Sequence, residues 1–166
     1  MNTEIRIPRF YYEEAIRDLH RPHPHAGERV GFYRTVLGTI RHDYLLVLVT
    51  GYDSIPDEQY VRDFRVGARI SSASIQSALQ RILSHRCGQL HVHAHIGSGV
   101  PLPSPTDQKD TPRIVESMRV VGPKTAHGMF IFSDDGAWAQ VAIPGAANQI
   151  VPSKITVVGY PSAFLL

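Results

Sequence analysis

Three histidines at every second position are the residues of this chain best suited to chemistry. His91, His93 and His95 alternate with the apolar residues Val92 and Ala94. Because successive side chains of a β-strand point to opposite faces, the three imidazoles are predicted to share one face and the apolar residues the other. Neutral imidazole nitrogens are suitable ligands for zinc. The pattern therefore predicts a metal site on one face of a buried strand.

A serine and an aspartate follow these histidines. Ser104 and Asp107 come after a segment rich in glycine and proline, residues 97–103, which predicts a turn that brings Asp107 back beside the strand. Two imidazoles and a carboxylate leave the fourth tetrahedral position of a zinc ion open for water, as in catalytic sites. The alternative is a surface strand with histidines by chance, and Asp107 only as the N-cap of a helix. The alternating histidines, the turn segment and Ser104-x-x-Asp107 follow one another in the chain, and this combination favours the metal site.

A metal-activated water also needs a base that accepts its proton, and a carboxylate outside the ligand set is the usual group. Glu28 is the candidate, because it stands at the head of a predicted core strand in the sequence Glu-Arg-Val-Gly. A side chain at a strand end can lean over the ligands of a neighbouring strand. Periodicity alone favours an ordinary exposed glutamate at the end of a loop.

Alternating and helical hydrophobic patterns predict the elements that position these residues. An apolar stripe predicts an amphipathic helix over 71–85, with Ser72 or Ser74 as N-cap and Gly88 beyond its end. The other predicted elements are strand 5–10, helix 12–20, a hairpin of strands 28–40 and 42–51, helix 107–118, a hairpin of 129–133 and 138–143, and strand 155–158. This order predicts an α+β fold with a mixed sheet flanked by helices.

Length and composition set the remaining expectations. With 166 residues, 43% of them hydrophobic, the chain is long enough for one compact domain over residues 1–166. The net charge of +2, without a long basic run, gives no footprint for nucleic acid.

A single cysteine excludes an internal disulfide framework and favours a reducing compartment. The apolar run 44–49 is far shorter than the about 20 residues that span a bilayer, and no secretory leader is evident. We therefore expect a cytoplasmic protein without a membrane partner. Cys87 is expected to be a buried hydrophobe outside the site. His23 and His25, which alternate with proline, are expected to be solvated.

These motifs resemble the JAMM metalloprotease domain, also called the MPN+ or JAB domain. The match rests on Glu28-x-x-Gly31, on the amphipathic helix before His-x-His, and on Ser104-x-x-Asp107 after it, in the family's order. The resemblance implies a single JAB/MPN-type domain whose mixed, curved sheet is flanked by helices, as in cytidine deaminases.

The same resemblance implies roles for single residues. Glu28 corresponds to the general base and Ser104 to the oxyanion donor, while His93, His95 and Asp107 correspond to the ligands of one zinc ion. His91 and His93 are the alternative pair, because Gly88-x-x-His91 also resembles the family's entry into the motif. The unused histidine would then be a supporting or substrate-side group.

For function, the resemblance implies a zinc-dependent isopeptidase or peptidase that cuts after the C-terminus of a ubiquitin-like protein. Deconjugation and precursor processing are both consistent with it, as in the compact bacterial deubiquitinase-like members. Its expected partners are the ubiquitin-like protein, its conjugates and other components of the conjugation system. The alternatives are an MPN-type scaffold without activity that binds a partner protein, and a different small metal hydrolase. A scaffold has no need of the five site residues together.

Overall fold

The computed structural model of the chain describes residues 2–22, 24–41, 43–63, 65–160 and 163–165. His23, His42 in the predicted hairpin turn, and Phe64 lie outside them. In chain order the elements are β1 (Asn2–Pro8), α1 (Arg9–Leu19), β2 (Val30–Arg41), β3 (Tyr44–Ser54), a short 3-10 turn (Asp57–Gln59), α2 (Ser72–His85), β4 (Gly88–Ala94), α3 (Pro105–Val121), β5 (His127–Phe132), β6 (Ala137–Ala142), β7 (Lys154–Val158) and β8 (Ala163–Phe164).

The strands form one mixed sheet in the order β6-β5-β4-β2-β3-β1-β7-β8. Strand β1 runs parallel to β3 and β7, and β4 runs parallel to β5. The other neighbours, including the β2–β3 and β5–β6 hairpins, are antiparallel. The predicted α+β fold with a mixed sheet and flanking helices is confirmed. No helix in the described part of the chain is both long and apolar enough to cross a membrane.

Each face of the sheet carries its own hydrophobic core. One core includes Ala15 and Leu19 of α1 together with Leu90 and Val92 of β4. The other core lies on the opposite face. It combines Val30 and Phe32 of β2 with buried residues of α2 and α3, which include Ala78, Ile82 and Met118. Full burial of a side chain such as Ile82 contributes about 2 kcal/mol to the stability of the fold. Helices therefore lie on both faces of the sheet.

Several predicted boundaries differ from the structure, and two of the differences have a local cause. The alternation predicts a first strand over 5–10, but β1 ends at Pro8 and α1 begins at Arg9. Phe10 belongs to the helix and is 71% exposed, so its apolar character does not mark a strand. The N-cap of α2 is Ser71, not Ser72 or Ser74, because the Ser71 side chain accepts a hydrogen bond from the backbone N–H of Ser74.

A buried carboxylate ties the parallel strands β1, β3 and β7 together. Glu4 is 1% exposed and accepts hydrogen bonds from Arg6 Nε at 2.9 Å, Tyr44 Oη at 2.5 Å and Thr156 Oγ1 at 3.0 Å. Burial raises the pKa of Glu4, but the hydrogen bonds from Arg6, Tyr44 and Thr156 outweigh it and lower the pKa from 4.5 to about 2.

Glu4→Gln is expected to lower the free energy of unfolding by about 3 kcal/mol at pH 7. Because the folded-state pKa lies below the unfolded value, this stabilisation is complete above pH 4.5 and disappears as the pH falls toward 2. Urea denaturation of wild type and variant at pH 7 and pH 3 measures it. Glu13→Gln, whose side chain is 54% exposed, is the control and should change little. An equal loss at both pH values would contradict the assignment.

Candidate metal centre

Strand β4 presents its histidines to the side covered by α2 and α3. Its register with β2 pairs His93 with Val30 and His91 with Phe32. Leu90 and Val92 point to the opposite core, so the predicted separation of histidines from apolar residues is confirmed. Helices α2 and α3 lie over part of this face. His91 and His93 are therefore buried, and His95, one residue past the end of β4, is half-buried.

The turn after β4 is fixed to the β5–β6 hairpin. The backbone N–H of Asp134 donates to Gly97 O at 2.9 Å, and Ser133 Oγ donates to Gly99 O at 2.6 Å. Gly99 N–H donates in return to Asp135 Oδ1 at 2.6 Å. Gly97 and Gly99 have φ of 125° and 83°, a left-handed conformation that residues with a side chain rarely adopt. The turn therefore leads back to the histidines along a fixed path.

This path ends at the N-terminus of α3. Ser104 is the N-cap and accepts a hydrogen bond from Asp107 N–H at 3.2 Å, while Asp107 Oδ2 accepts one from Ser104 N–H at 2.8 Å. This reciprocal pair is a capping box. Asp107 is thus the third helical residue and not the N-cap. The Asp107 carboxylate both caps the helix and faces the histidines, so the capping box also fixes its position in the candidate site.

The imidazoles and this carboxylate converge. His93 Nε2 lies 3.1 Å from His95 Nε2 and 3.3 Å from Asp107 Oδ1, and His95 Nε2 lies 3.4 Å from Asp107 Oδ2. Neighbouring ligand atoms of a tetrahedral zinc ion with bonds of 2.0–2.1 Å are separated by about 3.3 Å. Burial raises the pKa of Asp107, but hydrogen bonds with His93 and Ser104 outweigh it and hold this pKa well below its usual range. The donor set fits a zinc ion.

Glu28 reaches the same place from the segment before β2. Ligand atoms of Glu28, His93 and His95 all lie within 4.8 Å of one another, so these residues form a candidate metal-binding triad. The structure therefore places Glu28 beside His93 and His95, which in turn contact Asp107. Glu28 is near enough either to bind an ion directly or to accept a proton from a water beside it.

Two clefts meet at Glu28. The first, of about 610 Å³, is lined by His91, His93, Ser104 and Asp107 among others. The second, of about 690 Å³, is lined by residues that include His95, Ile96 and Asp134. Both clefts share Glu28 and Gly67.

His91 lies two residues before His93 on the same face of β4 and is not part of the candidate triad. Its ring centroid lies 5.7 Å from that of His93 and 5.6 Å from that of Phe32, which it meets edge-on. Burial lowers the pKa of His91 from 6.5 to about 3, so the ring is neutral near pH 7. Among the described residues its Nδ1 has no hydrogen-bond partner. Geometry favours His93 and His95 as the ligands and His91 as a supporting group.

Sequence reasoning missed the residues that hold Glu28. They are Gly67, which accepts the backbone N–H of Glu28, and Asp57 and Tyr60, which bind the neighbouring Arg29 and Val30. All three lie between β3 and α2 and have no motif that distinguishes them. Cys87 is buried, as expected, and its thiol contacts Arg81 O at 3.7 Å. Burial raises the pKa of this thiol, and Cys87 is not among the ligands of the candidate site.

Comparison with known proteins leaves the geometry as the main guide to function. No protein-family model matches the chain, and no curated protein matches it.

Proposed function

We propose that this chain is a zinc-dependent peptidase or isopeptidase of the JAMM type, which cuts after the C-terminus of a ubiquitin-like protein. The observation that carries the proposal is the convergence of His93, His95 and Asp107 within 3.4 Å, with Glu28 beside them. The JAB/MPN identity of the fold and a single domain over 1–166 belong to this proposal.

Each of these side chains has a separate role in the proposed hydrolysis. His93, His95 and Asp107 hold the metal. Zinc at this position would polarise the scissile carbonyl and lower the pKa of a water next to it toward about 7. Glu28 accepts the proton of the attacking water and passes it to the nitrogen of the leaving amine. The products are a free carboxylate and a free amine, so no further reactant is required.

Ser104 donates a hydrogen bond to the oxygen of the scissile carbonyl as negative charge develops there. Its Oγ already accepts the N–H of Asp107 at 3.2 Å. The hydroxyl proton therefore remains available for donation, and Ser104 lines the same cleft as His93. The capping box thus orients this hydroxyl at the edge of the site.

Ser104→Ala is expected to lower kcat by about 100-fold. The variant loses both the hydroxyl and the cap of α3, so its Tm should fall by about 2–4 °C. Ser104→Thr retains a capping hydroxyl and should keep both properties near wild type. Steady-state kinetics and thermal unfolding of the three proteins separate the two effects. Retention of full kcat in Ser104→Ala would remove the serine from the mechanism.

The substrate class follows from the resemblance of the motifs, and the clefts are compatible with it. The C-terminal tail of a ubiquitin-like protein is an extended chain, and the two clefts provide a path for such a chain past Glu28. We further propose a cytoplasmic site of action, with other components of a ubiquitin-like conjugation system as partners.

The test measures metal and cleavage in the same samples. The purified protein is analysed for metal content and incubated with ubiquitin-like proteins whose C-terminal carboxyl is joined to a reporter peptide. We expect about one zinc per chain and cleavage at the junction, abolished by chelation and restored by zinc. A chain that binds no zinc overturns the proposal in favour of a scaffold. A zinc protein that hydrolyses other amides, but none of these fusions, would be a different metal hydrolase.

A further inference from the structure

The segment between β3 and α2 holds the residues on either side of Glu28. Val30 N–H donates to Tyr60 Oη at 3.0 Å, and this hydroxyl donates back to Val30 O at 3.1 Å. The buried guanidinium of Arg29 forms an ion pair with Asp57, in which Nη1 and Oδ1 are 2.7 Å apart. The backbone on the C-terminal side of Glu28 is thus anchored at two points of one segment.

Glu28 itself lies against Gly67 of the same segment. The backbone N–H of Glu28 donates to Gly67 O at 2.8 Å. The Glu28 carboxylate passes directly over the α-carbon of Gly67. A Cβ added at Gly67 would lie 2.3 Å from Glu28 Oε2 and 2.8 Å from Oε1, closer than atoms approach in proteins.

The backbone gives no other reason for a glycine at this position. The glycines with left-handed φ in the described residues are Gly97, Gly99, Gly145 and Gly159, and Gly67 is not one of them. Gly67 therefore does not need the left-handed φ that favours glycine. The close contact of a Cβ at this position is with the Glu28 side chain.

We propose that Gly67 is a positioning residue for Glu28. Its lack of a side chain leaves the space in which the carboxylate lies beside His93 and His95. The inference rests on the proposed function, in which Glu28 accepts the proton. Gly67 lines both clefts but supplies no side chain to the reaction, and in this scheme it acts through the position of Glu28.

Gly67→Ala is expected to displace the base without unfolding the protein. The atoms that meet the new methyl group are the far end of a flexible side chain, which can turn away at little cost. A shift of about 1 Å in a reacting group lowers rates by up to about 100-fold. We therefore expect kcat to fall about 10- to 100-fold. KM, zinc content and Tm should stay near their wild-type values, a combination that general loss of structure does not produce.

Removal of the carboxylate provides the internal check. In Glu28→Ala neither Cδ nor the carboxylate oxygens remain, so a methyl group at position 67 no longer meets them. Gly67→Ala should then change the residual kcat by less than about 2-fold in the Glu28→Ala background, against about 10-fold or more beside Glu28. Gly38→Ala on β2 is the control, because its added Cβ meets Leu46 at an ordinary 3.9 Å.

Crystal structures of wild type and Gly67→Ala decide the contact independently of activity. A carboxylate displaced by about 1 Å or more, together with a reduced kcat, supports the inference. An unmoved carboxylate overturns it, and so does a displaced carboxylate with unchanged kcat or equal effects of Gly67→Ala in both backgrounds. If wild type cleaves no ubiquitin-like fusion, the proposed function fails and the catalytic part of the inference fails with it. The crystal structures still show whether Gly67 sets the position of Glu28.

Discussion

His93→Ala is expected to lose both zinc and cleavage. His93 is 2% exposed. Its Nε2 lies 3.1 Å from His95 Nε2 and 3.3 Å from Asp107 Oδ1, so it is in contact with both other proposed ligands. Supporting groups around zinc ligands already contribute about 10- to 100-fold to affinity, so the loss of a ligand should exceed about 100-fold. Cleavage should fall to background, because the remaining side chains supply no Lewis acid. Zinc titration and cleavage of a ubiquitin-like fusion by the same preparation measure both effects.

Two neighbouring variants identify the ligand pair. If His93 and His95 bind the metal, His95→Ala should lose zinc and His91→Asn should retain it. If His91 and His93 bind it, the result is reversed. His91 is buried, so His91→Asn is compared with wild type by circular dichroism before the titration, and a folded variant is required. Retention of zinc by His93→Ala would contradict both pairs.

The parts of the site that the sequence predicted are those set by local geometry. The alternation of His91, His93 and His95 is a property of one strand, and period-two patterns place side chains on one face wherever a strand forms. The Ser104-x-x-Asp107 spacing is likewise local, since a capping box is made within a single helical turn. For the histidines, spacing carried enough information to predict the strand and the shared face. The capping box was not predicted, because the helix was expected to begin at Asp107 and in fact begins at Pro105.

The sequence did not predict what covers the histidine face or what holds Glu28. The pattern of β4 separates two faces, but it does not tell which helices pack on each, and α2 and α3 bury His91 and His93. The contact of Glu28 with Gly67 joins segments far apart in sequence, and neither residue carries a local pattern that predicts it. Such pairings depend on the order of strands in the sheet. Periodicity within one segment does not determine that order.

Glu28→Gln is expected to abolish cleavage while leaving zinc in place. Glutamine has nearly the same size as glutamate, so the backbone bond from residue 28 to Gly67 O is retained. A neutral amide cannot accept the proton of the attacking water, and general bases contribute about 100- to 10,000-fold to rates. We expect kcat to fall about 1,000-fold, with zinc stoichiometry unchanged. Single-turnover kinetics and metal analysis of the same sample measure this.

The metal content of Glu28→Gln also decides between the two roles that the geometry allows. Glu28 belongs to a triad whose ligand atoms lie within 4.8 Å of one another, so it is close enough to be a ligand itself. If Glu28 is the base, zinc affinity should change little, because His93, His95 and Asp107 supply the ligands. If Glu28 is a ligand, zinc and cleavage are lost together, as in His93→Ala. Glu116→Gln, whose side chain is 62% exposed on α3, removes the same charge away from the site and should change neither. Normal cleavage by Glu28→Gln would exclude both roles, and the proton would then have to be accepted by a group other than this carboxylate.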